Sequence, residues 1–166
     1  LQDLLHAEKQ LVKALPKMAR VARSQALVSL FETHLVETQR QVERLQEAFG
    51  LLGVTAKAKP CKGMEGLLAE GAEVMEEGAD KPPAAADLAL IAAAQRVEHY
   101  EIAGYTTARN LAGQAGLPAV GDLLNQSLAE EEVSDMLLAQ VARELMSEAR
   151  AGVTKAPKRG KRTTKG

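Results

Sequence analysis

Between Ala84 and Gly113 the chain is rich in alanine and leucine and holds no proline. A run of that composition predicts one uninterrupted helix. Its middle reads Arg96-Val97-Glu98-His99-Tyr100-Glu101-Ile102-Ala103-Gly104-Tyr105. Glu98 and Glu101 are three residues apart, so both carboxylates project from one face. Ile91, Ala94 and Tyr105 share that face, which marks it as core-directed. Ionised carboxylates turned into a core are costly unless something pairs with them. Any fold of this chain must therefore bring partners to Glu98 and Glu101, and metal ions can satisfy several carboxylates at once.

The remaining composition narrows the class. A chain of 166 residues is long enough for one domain with a sizeable core. Leucine and alanine dominate, aromatic residues are only 2%, and β-branched residues are not enriched, which predicts an all-α protein. Cys61 is the single cysteine, so an internal disulfide framework is excluded and a reducing, cytoplasmic setting is expected. No apolar run approaches the ~20 residues of a membrane span, and no signal peptide pattern is visible. The net charge of −1 hides an asymmetry: six Lys or Arg and no acid lie from Lys155 onward, leaving 15 basic and 22 acidic residues before them, a net of −7.

Taken in order, Leu1 to about Arg23 predicts a first helix, with Leu4, Leu5, Glu8, Leu11, Val12 and Leu15 on its inward stripe. Pro16 predicts a kink in it. Ala26 to about Leu52 predicts a second, with Leu27, Leu30, Phe31, His34, Glu37, Gln41, Arg44 or Leu45, and Ala48 facing in. Gly50 and Gly53 punctuate its end. A long connection, 53–83, carries a short helix over Met64 to about Glu77 and stops at Gly78 and Pro82-Pro83. Pro118 opens a last helix to about Ala151, with Leu123, Leu124, Leu128, Glu131, Asp135, Leu138 and Leu145 inward. Residues 1–151 thus form a four-helix bundle with a crossover between its second and third long helices, and 152–166 form a basic, disordered tail. A faint internal echo links His6-Ala7-Glu8 to His99-Tyr100-Glu101, and Glu37-x3-Gln41 to Glu131-x3-Asp135.

Four long helices thus each carry an inward acid: Glu8, Glu37, Glu101 and Glu131. His34, Glu98 and Asp135 add further polar groups. A salt bridge explains one buried acid, but no matching set of inward Lys or Arg accompanies four. Two cations would balance about four carboxylates. Oxygen donors with a minority of imidazole suit iron or manganese better than zinc or copper.

The sequence resembles the YciE/YciF-type stress proteins of the ferritin-like superfamily. The resemblance covers nearly all of 1–150. It rests on Ala7-Glu8-Lys9-Gln10-Leu11, His34-Leu35-x-Glu37-Thr38-x2-Gln41, Cys61-x2-Met64-Glu65-Gly66-Leu67, Val97-Glu98-His99-Tyr100-Glu101, and Leu128-x-Glu130-Glu131-Glu132-x2-Asp135. It implies a ferritin-like up-down bundle, a homodimer, and a carboxylate-rich dinuclear centre holding two iron ions, with manganese as the alternative. Glu8 and Glu101 would be terminal ligands and Glu37 and Glu131 bridges. Glu98 would stand outside them or join with a change of oxidation state. Tyr105 and Gln41 would be hydrogen-bonding neighbours of the ligands. The chemistry implied is that of a di-iron oxidoreductase acting on O2 or peroxide. One departure stands out: ferritin-like sites carry Glu-x-x-His on two helices, and this chain has none. His34-x-x-Glu37 reverses that order, so His34 is a candidate ligand, with a core histidine bonded to a carboxylate as the alternative.

Two further readings stay open. The centre could brace the bundle without turnover, or the basic tail from 155 to 166 could contact DNA phosphates as part of a nucleoid-associated protein. His6 and His99 fall one position off the inward stripes.

Overall fold

The computed structural model describes the backbone of residues 1–155 and the side chains of 1–150, and the rest of the expected disordered tail lies outside the described residues. Five helices follow in order: α1 (Gln2–Val21), α2 (Gln25–Leu51), α3 (Lys62–Gly78), α4 (Pro83–Gln114) and α5 (Pro118–Lys155). No strand occurs among the described residues. None of their helices is long and apolar enough to cross a membrane.

The turns follow local chemistry. Gly50 and Gly113 stay inside their helices, whereas Gly53 and Gly116 take the left-handed conformation, with φ of 67° and 70°. Only glycine adopts that backbone without strain. Next to each, the chain closes a helix end with a long backward hydrogen bond, Val54 N–H to Phe49 O and Leu117 N–H to Ala112 O. Pro118 then opens α5, where a missing N–H costs nothing. Pro16 does not end α1, which continues to Val21. Helix α5 passes the expected boundary at 151 and is described to Lys155.

Packing pairs α1 with α2, α2 with α5, and α5 with α4, while α3 lies chiefly on α4 and touches α1. The apolar core falls into two clusters. One gathers Leu11, Leu15, Leu27, Phe31, Ile91, Ala94 and Leu138. The other gathers Leu4, Leu5, Leu45, Phe49, Tyr105, Leu124 and Leu128. Helices α2 and α4 run from the first cluster to the second, and α1 and α5 run back. Each of these four long helices crosses the boundary between the clusters, α1 in its first third and the other three nearer their middles, and there its core positions turn polar.

Candidate metal centre

The polar layer is built from four helices. Glu8 comes from α1, His34, Thr38 and Gln41 from α2, Glu98 and Glu101 from α4, and Ser127, Glu131 and Ser134 from α5, and all are buried. Within it, His34, Glu98, Glu101 and Glu131 each present a ligand atom, and these atoms lie within 4.8 Å of one another. The Nε2 of His34 stands 3.4 Å from Glu98 Oε1 and 3.6 Å from Glu131 Oε2. Its Nδ1 faces the other way, 3.4 Å from Glu37 Oε2. With the Nδ1 proton directed at Glu37, the Nε2 lone pair points into the cluster, as a ligating histidine requires.

Two of the carboxylates, Glu8 and Glu131, are held by a hydrogen bond on one oxygen. Tyr105 donates its hydroxyl to Glu8 Oε1, and Gln41 donates its amide to Glu131 Oε1. Gln41 also reaches Glu130 Oε2 at 3.1 Å, and Arg44 clamps Glu130 with two contacts of 2.5 and 2.6 Å. The opposite oxygens are orphaned. Among the described residues, the buried side-chain polar atoms without a hydrogen-bond partner are Glu8 Oε2, His34 Nε2, Gln41 Oε1, Glu98 Oε2, both oxygens of Glu101, Glu131 Oε2 and Ser134 Oγ. All of them belong to this layer. Buried polar atoms are almost always paired, so such a concentration requires an explanation. A cation supplies one: the orphans are mostly carboxylate oxygens plus an imidazole nitrogen, a donor set able to hold a metal ion.

The electrostatics agree. Burial, followed by the charge of Glu131, raises the carboxyl of Glu8 well above its ordinary 4.5. Burial and Glu131 do the same to Glu98, and burial followed by Glu8 and Glu131 does it to Glu101. Burial alone would lower the His34 imidazole, but the hydrogen bond to Glu37 and the charges of Glu131 and Glu37 outweigh it and hold it above its usual value. Glu8, Glu98 and Glu101 resist ionising in this dry interior, and added positive charge relieves them.

Not every expected ligand is in the cluster. Glu8 lies beside it, tied to Tyr105. Glu37 is partly exposed and sits behind His34. Asp135 accepts a hydrogen bond from Gln95 Nε2 at 2.8 Å and faces the exposed His99 at 3.5 Å, away from the centre. The reason is register. A single sequence interval relates α1 to α4 and α2 to α5, matching Glu8 with Glu101, Phe31 with Leu124, Thr38 with Glu131, Gln41 with Ser134 and Leu45 with Leu138, and both members of every pair are buried. The echo of Glu8 and Glu101 obeys it. Matching Glu37 to Glu131 and Gln41 to Asp135 is one residue too long, and one residue rotates a helix by about 100°. Thr38 and Ser134 were missed for that reason, although the spacing of Glu8 and Glu101 already contained the correct interval.

Outside the layer, Cys61 is buried, with its Sγ 3.0 Å from the Tyr100 hydroxyl and its N–H donated to His6 Nδ1 at 3.1 Å. These contacts dock the start of α3 on α1 and α4.

The profile of a family described as "Domain of unknown function (DUF892)" matches residues 1–151. The chain belongs to this family. It is 42% identical over 143 residues to Protein YciF of Escherichia coli (strain K12), spanning 86% of this chain and 85% of that protein. The crystal structure of the E. coli stress protein YciF superposes with a TM-score of 0.84 at 40% identity, covering 88% of this chain and 91% of the other. A Rhodopseudomonas palustris protein, YcfI, whose description proposes a structural role, superposes with a TM-score of 0.79 at 37% identity, covering 83% and 87%. The chain is thus a YciF-type family member with the all-helical fold of that protein.

Proposed function

We propose that this YciF-type protein holds iron or manganese in the buried layer and uses it in oxidase- or peroxidase-type chemistry during stress. The convergence on one layer of the orphaned buried side-chain polar atoms found among the described residues carries this reading. The matching directions of α2 and α4 support a ferritin-like four-helix bundle of α1, α2, α4 and α5, with α3 in the crossover. A homodimer in the cytoplasm completes the proposal.

In this reading His34, Glu98, Glu101 and Glu131 hold the ion. Glu37 keeps the imidazole proton on Nδ1, and Gln41, itself placed beside the Arg44–Glu130 pair, fixes the rotamer of Glu131. Tyr105 ties up Glu8 outside the ion's shell. A groove of about 300 Å³ between α2 and α5, lined by His34, Glu37 and Ser134 among others, gives a small molecule a way in. When bound, a redox-active ion would pass electrons from an external reductant to O2 or peroxide. The apolar clusters on both sides exclude bulk water.

The test is peroxide consumption by protein loaded with Fe(II) without air and supplied with an excess of a chemical reductant such as ascorbate. Sustained turnover in the wild type, lost in Glu101→Gln and Glu131→Gln, is the expected result, and an iron-free protein that gains nothing from Fe(II) contradicts it. The proposed structural role of YcfI favours a second reading, in which the ion only braces the bundle. Metal then raises the melting temperature while peroxide is consumed only in stoichiometric amount. A DNA contact through 155–166 makes a separate demand: deleting the tail must remove a salt-sensitive gel shift.

A further inference from the structure

The geometry points to a centre built for a single cation per chain, seated among His34, Glu98, Glu101 and Glu131, with the matching half-site on α1 and α2 dismantled. This rests on the proposed metal-binding function and departs from the two ions that the family resemblance implies.

The interval that relates the helix pairs defines two half-sites, Glu8 with Thr38 and Gln41, and Glu101 with Glu131 and Ser134. A dinuclear bundle site takes a carboxylate from each of two helices and a carboxylate with an imidazole from each of the other two. On α2 the carboxylate position holds Thr38, whose hydroxyl is donated to its own helix at His34 O, 2.8 Å away. The imidazole position holds Gln41, which presents N–H groups to the acids. A donor N–H attracts a carboxylate as a cation does, but leaves that lone pair unavailable to a metal.

The oxygen inventory leads to the same count. A carboxylate that bridges two ions needs both oxygens. Glu131 has Oε1 engaged by Gln41 and only Oε2 free, and that oxygen faces His34. Glu8 has Oε1 engaged by Tyr105. By contrast, both oxygens of Glu101 are free.

The additions fall on the other side. Within the polar layer, among the described residues, His34 and Glu98 are the buried ligand groups beyond the two half-sites, and both stand with Glu101 and Glu131. Their interval partners are Ser127 and Leu5, so nothing equivalent was added beside Glu8. Losses on one side and gains on the other leave one complete shell of three carboxylates and an imidazole.

The experiment loads metal-free protein with Mn(II) under nitrogen, removes the excess by gel filtration, and measures manganese per chain together with its electron paramagnetic resonance spectrum. One manganese per chain with the six-line signal of an isolated ion is expected. Glu8→Gln should keep that ion with affinity within about threefold, while Glu101→Gln weakens it by about 100-fold or more, at or beyond the upper end of outer-sphere effects. Two ions with an exchange-coupled spectrum would overturn the single-ion centre and leave the proposed function intact. No retained manganese in the wild type would overturn that function itself. Loss of the ion in Glu8→Gln would overturn the asymmetry.

Discussion

At the scale of single residues, His34 and Glu37 separate two ways of using the same carboxylate. A bridging Glu37 would touch metal directly. The structure instead places it behind the imidazole, 3.4 Å from Nδ1. Glu37→Gln should therefore weaken Mn(II) binding by about 10- to 100-fold, the usual effect of losing a partner that orients a ligand. His34→Ala should weaken it further, and adding Glu37→Gln to His34→Ala should then cost little more. Titration calorimetry on the two single variants and the double variant measures this directly, and equal, additive losses would contradict the relay.

At the scale of helices, most of the architecture was legible in the sequence. Alanine and leucine runs marked α4 and α5, and the glycines and prolines after them marked the turns. What escaped was rotation. Glu130, Glu131 and Glu132 are consecutive, and hydrophobic spacing alone tolerates any of them facing in. Glu131 does face inward, whereas pairing it with Glu37 is one residue out of step, since Thr38 is the buried position on α2. The contact that sets the α1–α2 turn was also hidden, because it comes from far along the chain. Asp87, buried on α4, accepts the backbone N–H groups of Ser24 at 2.7 Å and Arg23 at 3.0 Å. The Arg23 side chain returns the tie by donating to Gly78 O and Lys81 O. No periodic pattern announces such a link. Asp87→Ala leaves these donors unpaired and should cost about 1–3 kcal/mol in a denaturant titration. An unchanged midpoint would show that the turn holds without it.

For the whole molecule, the polar layer makes stability depend on pH and metal together. The folded-state values of Glu8, Glu98 and Glu101 are raised by burial and by one another, and that of His34 is raised by its carboxylate neighbours despite burial. Groups with raised values bind protons more tightly folded than unfolded. Their stabilisation is complete below the unfolded values and is lost as pH rises through the folded ones. The metal-free protein should consequently melt lower at pH 8 than at pH 6. A bound cation takes the place of those protons, so saturating Mn(II) should flatten the difference and its binding should release protons into a weak buffer. Identical melting at both pH values without metal would remove this account of the layer.

The measurement closest to the central claim is the melting temperature of metal-free protein as Mn(II) is added. At a hundredfold excess over its dissociation constant a ligand specific to the folded state contributes about 2.7 kcal/mol. For a chain of this size that corresponds to a rise of roughly 5–10 °C. The wild type should show that rise, and Glu101→Gln should not. A wild type whose melting temperature ignores Mn(II) and Fe(II) alike would mean that the orphaned atoms of the buried layer are not waiting for a cation.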